Sequence, residues 1–522
     1  MYKTKDISGK LAEYFIKSPL TFILGVSILA VGALALQITP REENPQMVVS
    51  GSSVIVALPG ANAEEVNEII TKPLERKLKE VIGIQHITSA SHNDYAIVNA
   101  EFFIGQEKKE SDVKVYDKIM KNLDILPKGA HRPIIKTLDI DTDIPIMSIA
   151  FYSESKKLTE VTKKVEKIQH QINALSGVAE TSLKGNKKDQ FNVLIDPKKV
   201  AAYNLSVGQI AKALEGITYN LPAFKNTSPN GELTYIKIKN VLENQKDIEN
   251  IMVASYLDSP IYLRDVATVE LDYNIQDFKG AEILAKVGDQ IIGFEQVTLS
   301  LSKLKGENSV IITDSAEKLL QSIRYDLDKE DIQFTIIKND GQKANAAVNE
   351  LVHHLVISIL IIGILLILVL GTKEAIIVIF TVPAILAITL FVAYLSDSTI
   401  NRITLFSFLL ALGLLVDAAI IVIENIHRHM HISEKNGTEI NQEELFIKAT
   451  DEVGPPTNIA TLAIILTMVP MAFVGGMMGQ FMQPIPANVP VALIASLFIA
   501  YIFTPYLANK MMKINTKGNK KK

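Results

Sequence analysis

The sequence predicts a helical membrane bundle of six spans that carries one large α+β insertion. Three observations lead there. Apolar residues form 48% of the 522-residue chain yet gather at its two ends. Six of those clusters approach or exceed the roughly 18 residues that suggest a membrane-crossing helix. Between the first and the second, residues 39 to 345 show the alternation and turn signals of a soluble domain.

The apolar runs are Leu20–Ile38, Leu351–Leu370, Ala375–Leu395, Ile403–Ile423, Ile459–Met478 and Val489–Leu507. The first is longer than the apolar core of a signal peptide, and no small-residue cleavage pattern follows before Pro40, so it reads as a retained anchor. Lysine and arginine in short flanking segments stay preferentially in the cytoplasm. They precede the first run (Lys3, Lys5, Lys10, Lys17), lie between the second and third (Lys373) and between the fourth and fifth (Arg428, Lys435, Lys448), and follow the sixth (Lys510, Lys513, Lys517, Lys520). The other short loops hold only Arg402. Both termini are therefore expected in the cytoplasm and the insertion outside. With basic residues placed as topological signals, the net charge of −4 says little about partners, and nucleic-acid binding has no support. The chain has no cysteine, which excludes disulfides and thiolate metal sites and leaves the insertion to packing alone.

Within the insertion, Ser53–Leu58 alternates as a strand, Ala63–Glu80 has helical spacing, Gln85–Ala90 and Ile97–Phe103 flank the turn SHND, and Ser111–Leu126 reads as a helix. This β-α-β-β-α order is that of a ferredoxin-like, split βαβ unit. It recurs in tandem with strands at Ile146–Phe151, Ala179–Leu183 and Asn192–Ile195 and a helix at Leu158–Leu175. After Pro197 come a short helix, Val207–Glu215, and a hairpin signal at Ser228–Glu232 containing Pro229, Asn230 and Gly231. Its flanks have little apolar content to bury, as in a solvated arm.

The fourth run holds Asp417 near its middle. A charged side chain there costs about 2.5–3.5 kcal/mol on insertion scales. Either the acid hydrogen-bonds a neighbouring helix, or desolvation brings it into a range where it exchanges a proton with each side in turn. Glu424 follows two turns later on the same face, either as a proton entrance or as a solvated helix-end acid. Gly413, one turn before Asp417, narrows that face and lets another helix approach. His427, His429 and His431 suggest a metal site by spacing but also suit a plain helix end, and Met468, Met471, Met477, Met478 and Met482 suit core packing as well as a soft metal.

Several motifs together carry a resemblance: PREENPQ (Pro40–Gln46), LPGANAEEVNEIITKPLE (Leu58–Glu75), YLRDVATVEL (Tyr262–Leu271), GLLVDAAIIVIENIHRH (Gly413–His429), VPMAFVGG (Val469–Gly476) and TPYLA (Thr504–Ala508). The chain resembles the amino-terminal half of resistance-nodulation-division (RND) efflux transporters along essentially its whole length. That resemblance implies a proton-driven exporter rather than an enzyme, with no cofactor. Such a pump lies in the bacterial inner membrane, works as a trimer, and meets a periplasmic adaptor and an outer-membrane channel. The implied division is 1–38 amino terminus and first span, 39–180 porter, 181–272 docking subdomain, 273–345 return to the porter, 346–510 spans two to six, and 511–522 basic tail. Asp417 matches the family's relay aspartate, and Pro229–Gly231 falls where the family's intersubunit docking hairpin lies.

Three departures accompany the resemblance. Multidrug members carry two adjacent aspartates; here the second is Ala418, as in the heavy-metal branch, and an aspartate at 418 is expected to be nearly tolerated. The chain ends after six spans, which suggests a split pump with a second-half polypeptide supplying the counter-ions. The drug-pocket positions fall near Pro145 and at Lys184, neither aromatic, which favours an anionic or amphiphilic substrate. The alternatives are a heavy-metal exporter of the same architecture and a protein-translocation accessory subunit.

Overall fold

The computed structural model describes residues 5–48, 50–218, 224–227, 233–236, 242, 244–256, 259–273, 279–287, 290–436 and 441–513. Six helices in it are long and apolar enough to cross a membrane: Leu20–Ile38, Asp340–Val369, Thr372–Leu395, Arg402–Lys435, Gln442–Ala472 and Gly476–Met511. The first coincides with its predicted run, and the third, fourth and sixth contain theirs and extend beyond them; the second starts earlier and stops at Val369, and the fifth starts earlier and stops at Ala472, short of the predicted Met478. The second begins at Asp340 because it leads directly out of a strand, with the Asn339 side chain capping it by accepting from Gln342 N at 2.9 Å. The fifth begins at Gln442 and runs through Pro455, Pro456 and Pro470. Neighbouring helices can re-satisfy the backbone groups that proline frees in a span.

The spans are unevenly covered. The third and sixth are 56% and 72% buried, whereas the second and fifth are 11% and 17% buried and present apolar residues outward. The first span closes on the third at Gly32, where a Cβ would lie 2.2 Å from that of Ala387. A short helix not expected from the sequence, Ile7–Phe15, precedes the first span and packs on the fifth. Its first amide is held by Asp451, which accepts from Asp6 N at 2.8 Å.

Along the insertion the strands are β1 (Gly51–Ala57), β2 (Ile84–His92), β3 (Tyr95–Phe102), β4 (Ile134–Thr137), β5 (Met147–Tyr152), β6 (Val178–Lys184) and β7 (Asp189–Ile195). Then come β8 (Phe224–Thr227), β9 (Leu233–Ile236), β10 (Met252–Tyr256), β11 (Ser259–Tyr262), β12 (Ala267–Tyr273), β13 (Glu282–Val287), β14 (Gln290–Lys303) and β15 (Gln333–Asn339). The first sheet has the antiparallel order β2-β3-β1-β4. Its buried face, with Val54, Val56, Val98 and Ala100, packs on the helical stretch from Ala63 to Lys79. That stretch is capped by the reciprocal Asn62–Glu65 bonds and passes through π geometry at Asn67–Thr71. Pro73, just beyond, has no N–H to continue the ladder, which accounts for the wider turn. The next helix ends at Met120 rather than Leu126, and Leu123–Ile125 forms a 3-10 turn.

The tandem arrangement expected of the second unit is not what forms. β5 and β6 pair with strands that arrive more than a hundred residues later, giving the order β6-β14-β5-β15, with β13 on the first half of β14. Helices Leu158–Asn173 and Ser309–Lys329 cover one face over Phe151, Val297, Leu299 and Leu301. β7 leaves this sheet and pairs with β12 from Ile195↔Ala267 to Asp189↔Tyr273. Its buried neighbours Val200, Ile210, Leu263 and Val269 form a separate small core. β8 and β9 pair with each other; Pro229, Asn230 and Gly231 between them lie outside the described residues.

Candidate functional site

The fourth span is two helices in line. Arg402–Leu415 starts on Asn401, whose side chain accepts from Ile403 N and Thr404 N at 3.0 and 2.9 Å. Asp417–Asn436 follows after a turn at Val416, whose carbonyl accepts from Ile420 N at 3.0 Å. One face is apolar and packed: Leu415, Ala418, Ala419, Val422, Ile423 and Ile426 are all buried against the sixth and third spans. The other face carries Gly413, Asp417 and Glu424, all exposed in this chain. Among the described residues, nothing beyond its own helix backbone and chain neighbours lies within 4 Å of a Cβ built on Gly413, and no hydrogen bond or ion pair reaches the Asp417 carboxylate.

Three of the four residues singled out in this span therefore share a face, and Ala418 does not. Only 4% exposed, Ala418 sits in the apolar core, so an aspartate there would bury a carboxylate, contrary to the tolerance expected from the sequence.

The far end of the span is held by carboxylates. His427 Nδ1 is 2.9 Å from Glu374 Oε1 on the third span, and His429 Nε2 is 2.6 Å from Glu452 Oε2 on the fifth. Arg428 donates to Glu452 Oε1 at 3.0 Å, and Asn425 Nδ2 to Ala449 O at 2.7 Å. His427 and His429 are thus interhelical pairing residues, and no cluster of three His, Cys, Asp or Glu able to hold a metal occurs among the described residues. Met471 and Met482 pack on the apolar core, while Met477 and Met478 face outward.

In the insertion, Pro145 lines a polar cleft of about 140 Å3 with Lys136, Asp143, Glu180, Ser182 and Ser300. Pro145 O accepts from Lys338 Nζ at 2.6 Å, and the Asp143 carboxylate, 3.0 Å from Lys136 Nζ, raises that ammonium above the ordinary lysine value. Lys184 is not part of this lining; it lies exposed on β6 opposite Thr298. The structure also shows a face that sequence reasoning missed. Opposite the two helices, the second sheet carries buried Ser148, Ser300, Ser302 and Thr298 beside exposed Ser182, with Ser148 and Ser300 bonded at 3.0 Å. Its signal was the strict alternation in QVTLSLSK, Gln296 to Lys303.

Comparison with known proteins places this geometry. The chain is 26% identical over 523 residues to an uncharacterized transporter of Haemophilus influenzae, a match covering 98% of this chain and 48% of that protein. The chain thus spans about half the length of the relative it matches. Residues 11–522 match the AcrB/AcrD/AcrF family, so this multi-pass membrane chain, with its sheet-containing insertion and its acid in the fourth span, belongs to that family of RND transporters.

Proposed function

We propose that this chain is one half of a proton-driven exporter and that Asp417 is its proton carrier. The observation that carries the reading is the placement of that carboxylate on the uncovered face of the fourth span, beside Gly413. A charge at such a depth is costly toward lipid, so the face calls for a covering helix that brings a counter-ion. The second half of the transporter supplies it. Proton binding must then favour one conformation over the other, because equal binding to both would shift nothing.

On this reading the bundle lies in the bacterial inner membrane with both termini cytoplasmic. The insertion is periplasmic, trimeric in assembly, and meets an adaptor and an outer-membrane channel. The sheet orders β2-β3-β1-β4 and β6-β14-β5-β15 support two ferredoxin-like porter subdomains. The separate core around β7 and β12 supports a docking subdomain that carries the Pro229–Gly231 arm. The hydroxyl-rich face of the second sheet and exposed Lys184 support a small organic or amphiphilic substrate with a polar or anionic part. The test is growth of cells carrying the complete system, with wild-type chain or Asp417→Asn, across amphiphilic toxicants and copper, silver, zinc and cobalt salts. Selective loss of tolerance to amphiphiles supports the reading. Loss confined to metals redirects it to the metal exporter, and no loss removes the relay role.

A further inference from the structure

The segment Pro40–Gln46 lies where the fourth span meets the insertion. Three backbone bonds tie it to the loop before that span and to the span's first residue: Ile400 N to Pro40 O at 2.9 Å, Glu42 N to Ile400 O at 3.0 Å, and Arg402 N to Glu43 O at 3.2 Å. Arg402 adds an ion pair to Glu43 at 2.9 Å. The same segment grips the second sheet through a side chain. Glu42 Oε1 lies 3.3 Å from Nζ of Lys303, the last residue of β14, and both residues are only 4% exposed. Gln46 Nε2 donates to the same carboxylate oxygen at 2.9 Å.

A buried ion pair is a weak device for stability, because an apolar pair of similar volume often holds a fold as well. It is a good device for fixing one geometry between two bodies, since separation takes the counter-ion away from each buried charge. Here the bodies are the start of the fourth span, whose second helix carries Asp417, and the central strand of the sheet that bears the polar face.

We propose that Glu42–Lys303 is the positioning pair through which movement of the fourth span, set by the protonation of Asp417, reaches the second sheet. This rests on the relay reading above. When the span shifts, Ile400 and Arg402 carry Pro40–Glu43 with them, and the buried pair carries β14. A second route, Ser309 N to Arg41 O at 3.1 Å, leads to the helix over the opposite face of that sheet, whose packing over Leu299 and Leu301 of β14 is apolar and can slide where a buried ion pair cannot.

The absence of native cysteine gives a clean labelling background. In membranes of cells producing the complete transporter, a single cysteine is placed on either side of the pair: Ser396→Cys at the end of the third span, and Ser182→Cys on β6, paired with Ser300 of β14. Maleimide labelling rates of this chain are compared with and without Asp417→Asn. Without a change at the pair, both sites should change rate. With Lys303→Met, or with Glu42→Leu and Lys303→Met together, the change should persist at Ser396→Cys and vanish at Ser182→Cys. The double variant keeps the site filled with apolar volume and decides the matter where the single one fails to accumulate. Survival of the Ser182→Cys response in the double variant overturns the proposal. A response at Ser396→Cys alone with the pair intact overturns it while leaving the relay reading standing, and no response at either site overturns both.

Discussion

Gly413 and Asp417 lie one helical turn apart on the exposed face of the fourth span, with nothing among the described residues packed over Gly413. The span therefore has a finished side and an unfinished one, and the acid belongs to the unfinished side. That division separates substitutions that disturb the chain itself from substitutions that disturb what it assembles with.

Ala418→Asp falls on the finished side. It places a carboxylate among Leu415, Val422 and the sixth span with no partner there, at a cost of about 3 kcal/mol or more. The variant should accumulate poorly and unfold in detergent at a lower temperature than wild type. Its neighbour Asp417→Ala should leave the unfolding temperature of the isolated chain nearly unchanged.

Two glycines give the same contrast in packing. At Gly32 a Cβ would fall 2.5 Å from the backbone Cα of Ala387, so Gly32→Leu forces the first and third spans apart, for about 1–3 kcal/mol. At Gly413 there is open space, so Gly413→Leu should leave the isolated chain within about 0.5 kcal/mol of wild type. Co-purification should then show that Gly413→Leu weakens association with the proposed second half of the transporter while leaving the stability of the isolated chain intact.

His427→Ala removes the partner of Glu374, a carboxylate 7% exposed in the first turn of the third span. Leaving it unpaired should lower stability by about 1–3 kcal/mol. Glu374→Leu combined with His427→Ala should be less destabilising than the sum of the two single changes, a non-additivity that a double-mutant cycle of detergent unfolding measures.

In the insertion, Asp331 accepts from Ser155 Oγ, from Ser155 N at 3.1 Å and from Ser153 Oγ at 3.2 Å, joining the loop after β5 to the turn before β15. The Ser155 hydroxyl, then Ser153 and the Ser155 amide, hold its carboxyl below the usual aspartate range. A carboxyl lowered on folding contributes stability that is present above its unfolded value, about 3.9, and is lost as pH falls through the folded one. Hydrogen exchange at Ser155 and Lys156 should therefore quicken as pH is lowered below about 4, after correction for intrinsic rates. Asp331→Asn should flatten that dependence.

Much of this was legible in the chain because bilayer helices and lone charges announce themselves locally. The six spans follow from runs of Leu, Ile and Val, and Asp417 from being an acid within one. What was not legible depends on which elements meet. Asp417 and Ala418 are adjacent in sequence but point about 100° apart on a helix, and only the packing of the third and sixth spans decides which of them is covered. The second sheet is interleaved, since β14 inserts between β5 and β6 after a long excursion, and local alternation carries no information about partners at that distance. The helix Ile7–Phe15 was hidden because its burial comes from contact with the fifth span. The Glu42–Lys303 pair was hidden for the same reason: neither charge stands out among its neighbours in sequence, and only the fold places both in the interior.

If Asp417 carries the proton that drives transport, its loss must uncouple proton movement from export. The most direct measurement is proton flux in inside-out membrane vesicles holding the complete transporter, loaded with acid and read by a pH-sensitive dye as an exported amphiphile is added. Wild-type vesicles should lose their pH gradient faster on addition of the amphiphile, and Asp417→Asn vesicles, with equal amounts of protein, should not. Substrate-dependent proton release by the Asp417→Asn form at the wild-type rate would contradict the relay role.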